Sequence, residues 1–232
     1  MARRILVWDL PTRLFHWLLA PLVLAAILTG KAGGNAIVWH GRLGLAITGL
    51  LAFRLVWGFA GSTHARFASF FPTPARLIAY WRGRWHGLGH NPFGALSVFG
   101  LLAAIAIQLG TGLVGNDDIA FQGFLYPLID KDLSDALTGV HRLASNFLIM
   151  LIGLHLAAIM FYAHVKKDNL VKPMLTGLKE VDDVHVESAS GGGKAAFAAA
   201  LIVAATAVYG VSGTWIATPP PAPPQTATPP AW

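Results

Sequence analysis

The stretch LTGVHRLASNFLIMLIGLHLAAIMFYA, residues 137–163, decides the fold. It is apolar over the length that crosses a bilayer core, about 17–25 residues in a helix. It also carries two histidines, His141 and His155, fourteen positions apart. On a helix that spacing is about 21 Å along the axis, and fourteen steps of 100° leave the side chains about 40° apart around it. Both therefore point to one face, the face a bundle would bury. Ionisable side chains inside a span are expensive and mark functional positions.

Four further apolar runs flank this one, at residues 14–30, 38–59, 93–114 and 195–216. The composition agrees. The chain has 232 residues, 55% of them hydrophobic and 12% charged, with mean hydropathy +0.57, whereas a soluble domain is about 25% charged. A soluble protein is excluded. The absence of cysteine excludes disulfides, cysteine-ligated iron–sulfur clusters and covalently attached c-type haem. The net charge of +6 does not point to nucleic acid, because the basic residues lie in short connections between apolar runs, where they set topology. With the N-terminus inside, 13 of the 17 Lys and Arg face the cytoplasm and only Lys31, Arg42, Lys131 and Arg142 face outward. The expected setting is a bacterial inner membrane, with the N-terminus cytoplasmic and the C-terminus periplasmic. The first run is read as a retained span, since Pro11, His16, Trp17 and Pro21 make a poor secretory core. Trp17, Trp39, Trp57, Tyr162 and Trp215 fall near span ends, as interfacial aromatics do.

Depth sorts the nine histidines. His16 lies near the inner start of the first span and His40 at the outer start of the second. They match the levels of His155 and His141, giving an inner pair His16/His155 and an outer pair His40/His141, each drawn from two helices. Such pairs suit a planar ligand held between two imidazoles, as in a haem iron with both axial positions filled. The rival readings are interhelical hydrogen bonds or zinc; a zinc transporter would cluster His with acids near the midplane, and no acid lies within any span. Arg42 and Arg142 adjoin the outer pair, and Arg13 and Arg54 lie at the inner level, where guanidinium groups would meet haem carboxylates or simply mark topology. Gly41 and Gly44 beside His40 would give a flat macrocycle room. His164, nine residues after His155, faces the opposite side of the helix. His64, His86, His90, His164 and His185 read as solvated or interfacial.

Several motifs also carry a resemblance. Residues 7–17, VWDLPTRLFHW, resemble the first-helix signature of bacterial cytochrome b561 proteins, and the b-type cytochrome subunits of nickel–iron hydrogenases begin in a similar way. The runs WHGRLG (39–44), GHNPFGA (89–95), GVHR (139–142) and GLH (153–155) resemble later motifs of the same family, in order. The resemblance covers residues 4–180. It implies a four-helix core with two b-haems and His16, His40, His141 and His155 as axial ligands. The fifth run has no histidine, and its Ala-rich surface suits either a docked partner or a stiffened bundle.

The expected fold is all-α, an integral membrane four-helix di-haem bundle plus a fifth transmembrane helix. Its expected divisions are a di-haem domain at 1–166, a cytoplasmic linker at 167–193, the fifth span at 194–217 and a Pro-rich periplasmic tail at 218–232. The expected function is electron transfer between the quinone pool and a redox partner, either a periplasmic c-type cytochrome or a docked oxidoreductase subunit. The alternatives are a stand-alone superoxide:quinone oxidoreductase and a membrane anchor for a hydrogenase or another dehydrogenase. The expected surroundings are lipid and quinone, with no nucleic acid and with room for an oligomer.

Overall fold

Three of the long helices begin where the sequence supplies a side-chain cap. In the computed structural model, which describes residues 3–181 and 187–217, α1 (Leu10–Ala32) opens with Asp9 accepting from the Thr12 amide at 2.8 Å and Pro11 in its first turn, as N-caps do. The Gly33-Gly34 turn, both residues at positive φ, folds the chain straight back into α2 (Ala36–Ala60). A short α3 (Phe67–Phe70) and the surface helix α4 (Pro74–Trp81) lead to α5 (Pro92–Gly112), capped by Asn91 accepting from the Gly94 amide at 2.7 Å. Asp130 caps α6 (Lys131–His164), the longest helix, in the same way. The chain then forms α7 (Val171–Thr176) and α8 (Gly193–Val211).

Five of these helices, α1, α2, α5, α6 and α8, are long and apolar enough to cross a membrane, and they coincide with the five expected runs. Helix α1 packs on α2, α2 on α5 and α8, and α5 on α6. The fold is thus a four-helix bundle with α8 added on the outer side of α2. Leucines such as Leu24, Leu28, Leu143 and Leu154 point outward, as lipid-facing side chains do. A layer of Val23, Ile47, Leu51, Ala104, Ile105 and Leu148 closes the middle of the bundle. We call the end where α1 begins and α6 finishes the proximal end, and the other the distal end.

The proximal end differs from the sequence expectation. Residues 167–193 were expected to be a linker, yet they hold α7 and a strand, β2 (Leu178–Val181), which pairs antiparallel with β1 (Arg3–Leu6). Arg13 donates to the Leu175 carbonyl (2.6 Å) and Trp17 to that of Met174 (3.1 Å), so α7 is tied to the start of α1. Four-residue strands some 170 positions apart carry no local signal; they meet because α1 begins where α6 ends. Trp57 also departs from its interfacial role. It is 3% exposed, stacks on Phe53 and donates to the Asp9 carboxylate at 2.9 Å. The Pro-rich tail at 218–232 and His185 lie outside the described residues.

Candidate cofactor sites at two levels of the bundle

The distal level is organised around His40 on α2 and His141 on α6. Their rings meet in a T-shaped arrangement, with centroids 5.9 Å apart and planes at 88°. Each ring leans on the neighbouring helix in the same manner. Nδ1 of His40 is 2.8 Å from the Ala26 carbonyl of α1, and Nδ1 of His141 is 3.0 Å from the Gln108 carbonyl of α5. A carbonyl can only accept, so Nδ1 carries the proton in both rings and Nε2 keeps its lone pair. That arrangement fixes a metal-ligating histidine: one nitrogen is held by the scaffold, and the other is free to coordinate.

Glycine makes the contact. Gly30 and Gly112 each stand four residues after the accepting carbonyl, on the same helix face. A Cβ on Gly30 would lie 2.9 Å from the His40 ring, and one on Gly112 would lie 2.9 Å from the His141 ring. Any larger residue would push the imidazole off its acceptor.

Both rings line a cavity of about 610 Å³, within the range of sites for cofactor-sized ligands. Ile47, Ile105 and Leu148 from the central apolar layer line it, and so do Gly41 and Gly44. A Cβ at Gly44 would meet nothing within 4 Å, and one at Gly41 would crowd Phe121 at 3.3 Å. Arg142 and Lys31 reach this wall; Arg42 stacks over the exposed Trp39 ring instead, 5.0 Å from its centroid. Gly115, Asn116, Asp117, Ile119 and Phe121 line the distal rim. Asp117 ties this loop by accepting the amides of Ile119, Ala120 and Phe121 at 2.8–2.9 Å. These bonds hold its carboxyl below the usual range. Lys131 pairs with Asp118 (2.6 Å) and Asp135 (2.7 Å), so the acidic loop is partly neutralised.

The proximal level holds His16 on α1 and His155 on α6. Nδ1 of His155 lies 3.3 Å from the Ser97 hydroxyl on α5. Around them sit buried polar atoms without a protein partner: Thr12 Oγ1, Arg13 Nε, His16 Nδ1 and Arg54 Nη1. An unpaired buried polar group costs about 1–3 kcal/mol, so several on adjoining turns of α1 and α2 fit a polar group bound here. Arg54 is only 3% exposed, and its guanidinium lies over Phe67 at 4.6 Å.

His64 and His90, read from the sequence as solvated or interfacial, are half-buried at the proximal end. His90 packs against Trp8 (4.5 Å) and Phe70 (4.6 Å), and its Nδ1 is buried; His64 likewise has a buried, unpartnered Nε2. Burial and the charges of Arg54, His155, His16 and His64 push His90 down to about 3. This partial burial has a physical cause: the connection between α2 and α5 folds back over the bundle end. The residues that sequence reasoning missed here are Gly30, Gly112, Ser97, His64 and His90. The glycine spacing from Ala26 and Gln108 was the available signal for the first two. His164 is exposed and caps its own helix through Met160 at 3.0 Å. Among the described residues, no group of three or more His, Cys, Asp or Glu is placed to hold a metal ion.

Comparison with known proteins matches the same architecture. The family model for prokaryotic cytochrome b561 matches residues 7–177. The chain is 25% identical over 217 residues to a probable Ni/Fe-hydrogenase B-type cytochrome subunit of Azotobacter vinelandii, covering 76% of this chain and 89% of that one. A protein of the same description from Cupriavidus necator is 25% identical over 218 residues, covering 76% and 87%. The probable Ni/Fe-hydrogenase 1 B-type cytochrome subunit of Escherichia coli K12 is 25% identical over 137 residues, covering 46% and 57%. No solved structure matches the chain. The matched region runs from Val7 to Gly177 and so takes in all four histidines of the two levels and the helices that carry them: this chain belongs to the prokaryotic cytochrome b561 family.

Proposed function

We propose that the chain is a di-haem b-type cytochrome that carries electrons across the membrane between the quinone pool and an oxidoreductase partner. Membership of a b-type cytochrome family implies haem b. The observation that carries the finer reading is the facing pair His40/His141, each ring with Nδ1 committed to a backbone carbonyl and Nε2 free. By the same reading His16 and His155 ligate a second haem, about 21 Å away along α6. Two levels at that separation cover most of a bilayer core of about 30 Å.

Bound haem iron supplies reversible one-electron chemistry, tuned by its ligands, burial and nearby charge. The protein's own groups do the rest. His16, His40, His141 and His155 would hold the two haem groups, and the supply of two imidazoles to each would favour electron transfer over binding of a small gas. Ala26, Gln108 and Ser97 orient three of those rings. Arg13 and Arg54 at the proximal level, and Arg142 with Lys31 at the distal level, meet carboxylates and raise the positive potential around them; Arg42, stacked on Trp39, acts from outside the cavity. The apolar layer between the levels excludes water.

The excess of Lys and Arg at the proximal end supports a cytoplasmic N-terminus in a bacterial inner membrane. The relatives' descriptions as hydrogenase cytochrome subunits support a docked oxidoreductase subunit as the partner. The pairing of Lys131 with Asp118 and Asp135 weakens the case for steering a basic c-type cytochrome.

The test is a dithionite-reduced minus oxidised spectrum of the purified protein, with extracted haem counted per chain. Two non-covalent b-haems with low-spin bands are expected. His141→Ala and His155→Ala should each lower the count from two to one. Folded protein expressed under haem-replete conditions that shows no haem spectrum would overturn the proposal.

A further inference from the structure

Helix α5 carries no histidine, yet it reaches the Nδ1 side of both α6 rings. Its Ser97 and Thr111 are fourteen residues apart, as His141 and His155 are on α6. On a helix that spacing is about 21 Å along the axis and about 40° around it. The two helices run in opposite directions, so the hydroxyls meet the rings level by level. Ser97 Oγ lies 3.3 Å from Nδ1 of His155, and Thr111 Oγ1 lies 3.2 Å from Nδ1 of His141. We infer that Thr111 and Ser97 are positioning residues that tune the two levels unequally, with Thr111 helping to hold the distal haem at the lower midpoint potential of the two. This rests on the di-haem reading above and deepens it.

A histidine that coordinates through Nε2 carries its proton on Nδ1, and an acceptor on that proton makes the ring a stronger donor to iron. A stronger donor favours the ferric state and lowers the potential. The two levels differ in the acceptors they offer. At the distal level, Nδ1 of His40 has the Ala26 carbonyl at 2.8 Å, and Nδ1 of His141 has both the Gln108 carbonyl at 3.0 Å and the Thr111 hydroxyl. At the proximal level, His155 has only the longer contact to Ser97, and Nδ1 of His16 is buried without a protein partner. Cations stand at both levels, Arg13 and Arg54 at one and Lys31 and Arg142 at the other, so charge alone does not set the order.

Thr111 is committed to accepting. It is buried, and its hydroxyl donates to the Ile107 carbonyl of its own helix at 2.7 Å. Its single proton is thereby spent, and a lone pair remains for the His141 proton. The Gln108 carbonyl still holds the ring when that hydroxyl is removed, so the electronics of His141 change without its release. Ser97 stands differently. Among the described residues it is the one hydrogen-bond partner of the His155 ring, so its hydroxyl both orients the imidazole and sets its donor strength.

The experiment is a redox titration of the purified, haem-loaded protein in detergent, followed at the haem bands, with haem counted per chain. The parent is expected to titrate as two one-electron components. Thr111→Val keeps the shape and removes the hydroxyl. It should move only the lower component upward, by about threefold or more in its equilibrium constant, which is roughly 30 mV, with both haems retained. Thr111→Ser should return the parent value. Ser97→Ala should move only the upper component upward and weaken haem binding at that level, on the order of 10–100-fold; Ser97→Thr should restore both. Movement of the upper component in Thr111→Val, equal movement of both, or no movement overturns the inference. Loss of a haem from Thr111→Val also overturns it, because the hydroxyl then serves as a tie between helices and not as a tuning group. The parent tests the electron-transfer reading separately. A parent without haem overturns that reading and the inference together, whereas two haem components indifferent to both hydroxyls overturn the inference and leave the reading standing.

Discussion

Gly30 and His40 form a lock between α1 and α2: a Cβ on the glycine would stand 2.9 Å from Nδ1 of the histidine, which itself lies 2.8 Å from the Ala26 carbonyl. Gly112 and His141 repeat the relationship across α5 and α6. Gly30→Ala and Gly112→Ala should each displace a ring from its carbonyl while leaving all four histidines in the chain. Loss of such a supporting hydrogen bond costs on the order of 10–100-fold in metal affinity. Haem titration of the purified variants should show that loss for one haem only, with the other retained at parent affinity.

Arg54 offers a test of the proximal level. Its Nη1 is buried without a protein partner, and its charge is held beside Phe67. Removing a positive charge near a haem favours the ferric state, so Arg54→Gln should lower the midpoint potential of the proximal haem. A shift of roughly 60 mV corresponds to tenfold in a one-electron equilibrium. Redox titration followed at the haem bands should show one component moving down and the other fixed. Arg54→Lys should fall between, since it keeps the charge and loses the planar fork.

Much of this was legible in the sequence, and the reasons for success and failure are physical. A bilayer-length apolar run declares itself, and fourteen residues between His141 and His155 fix both depth and face because α6 is one unbroken helix. The β1–β2 pair was not legible. Arg3–Leu6 and Leu178–Val181 are too short to show a period, and only the bundle brings them together. For His64 and His90 the sequence supported only a solvated or interfacial reading; nothing local signals that Trp8 from the N-terminal segment packs against His90. Arg42 follows His40 by two residues, but two helical steps of 100° place the side chains about 160° apart, and Arg42 turns outward onto Trp39.

The half-buried His90, whose Nδ1 is enclosed, gives the proximal end a pH dependence. Its imidazole titrates at about 3 in the fold and near 6.5 when unfolded. Between those values the unfolded chain binds more protons, so stability rises with pH across the window and is complete above it. Acidification below about 6.5 should therefore loosen this end progressively. Amide hydrogen exchange of residues 61–92, measured from pH 8 down to 5 and corrected for intrinsic rates, should show protection falling. In His90→Gln, which cannot charge, that fall should flatten.

The fifth span makes its own prediction. Helix α8 lies along α2, with Ala200 fully buried and Phe197 packed edge-on against Phe53 and Trp57. At Gly49 of α2 an added Cβ would come within 2.9 Å of a methyl of Val208. Small residues on both helices let the backbones approach, which is how helices associate in lipid, where burial from water gives no drive. Overpacking such a contact costs about 1–3 kcal/mol, so Gly49→Leu and Ala200→Leu should each lower thermal stability by that amount. Neither position touches the histidine pairs, and α8 carries no histidine. The haem count should therefore remain that of the parent in both variants. A loss of haem from Ala200→Leu would show instead that α8 holds α2, and with it His40, in register.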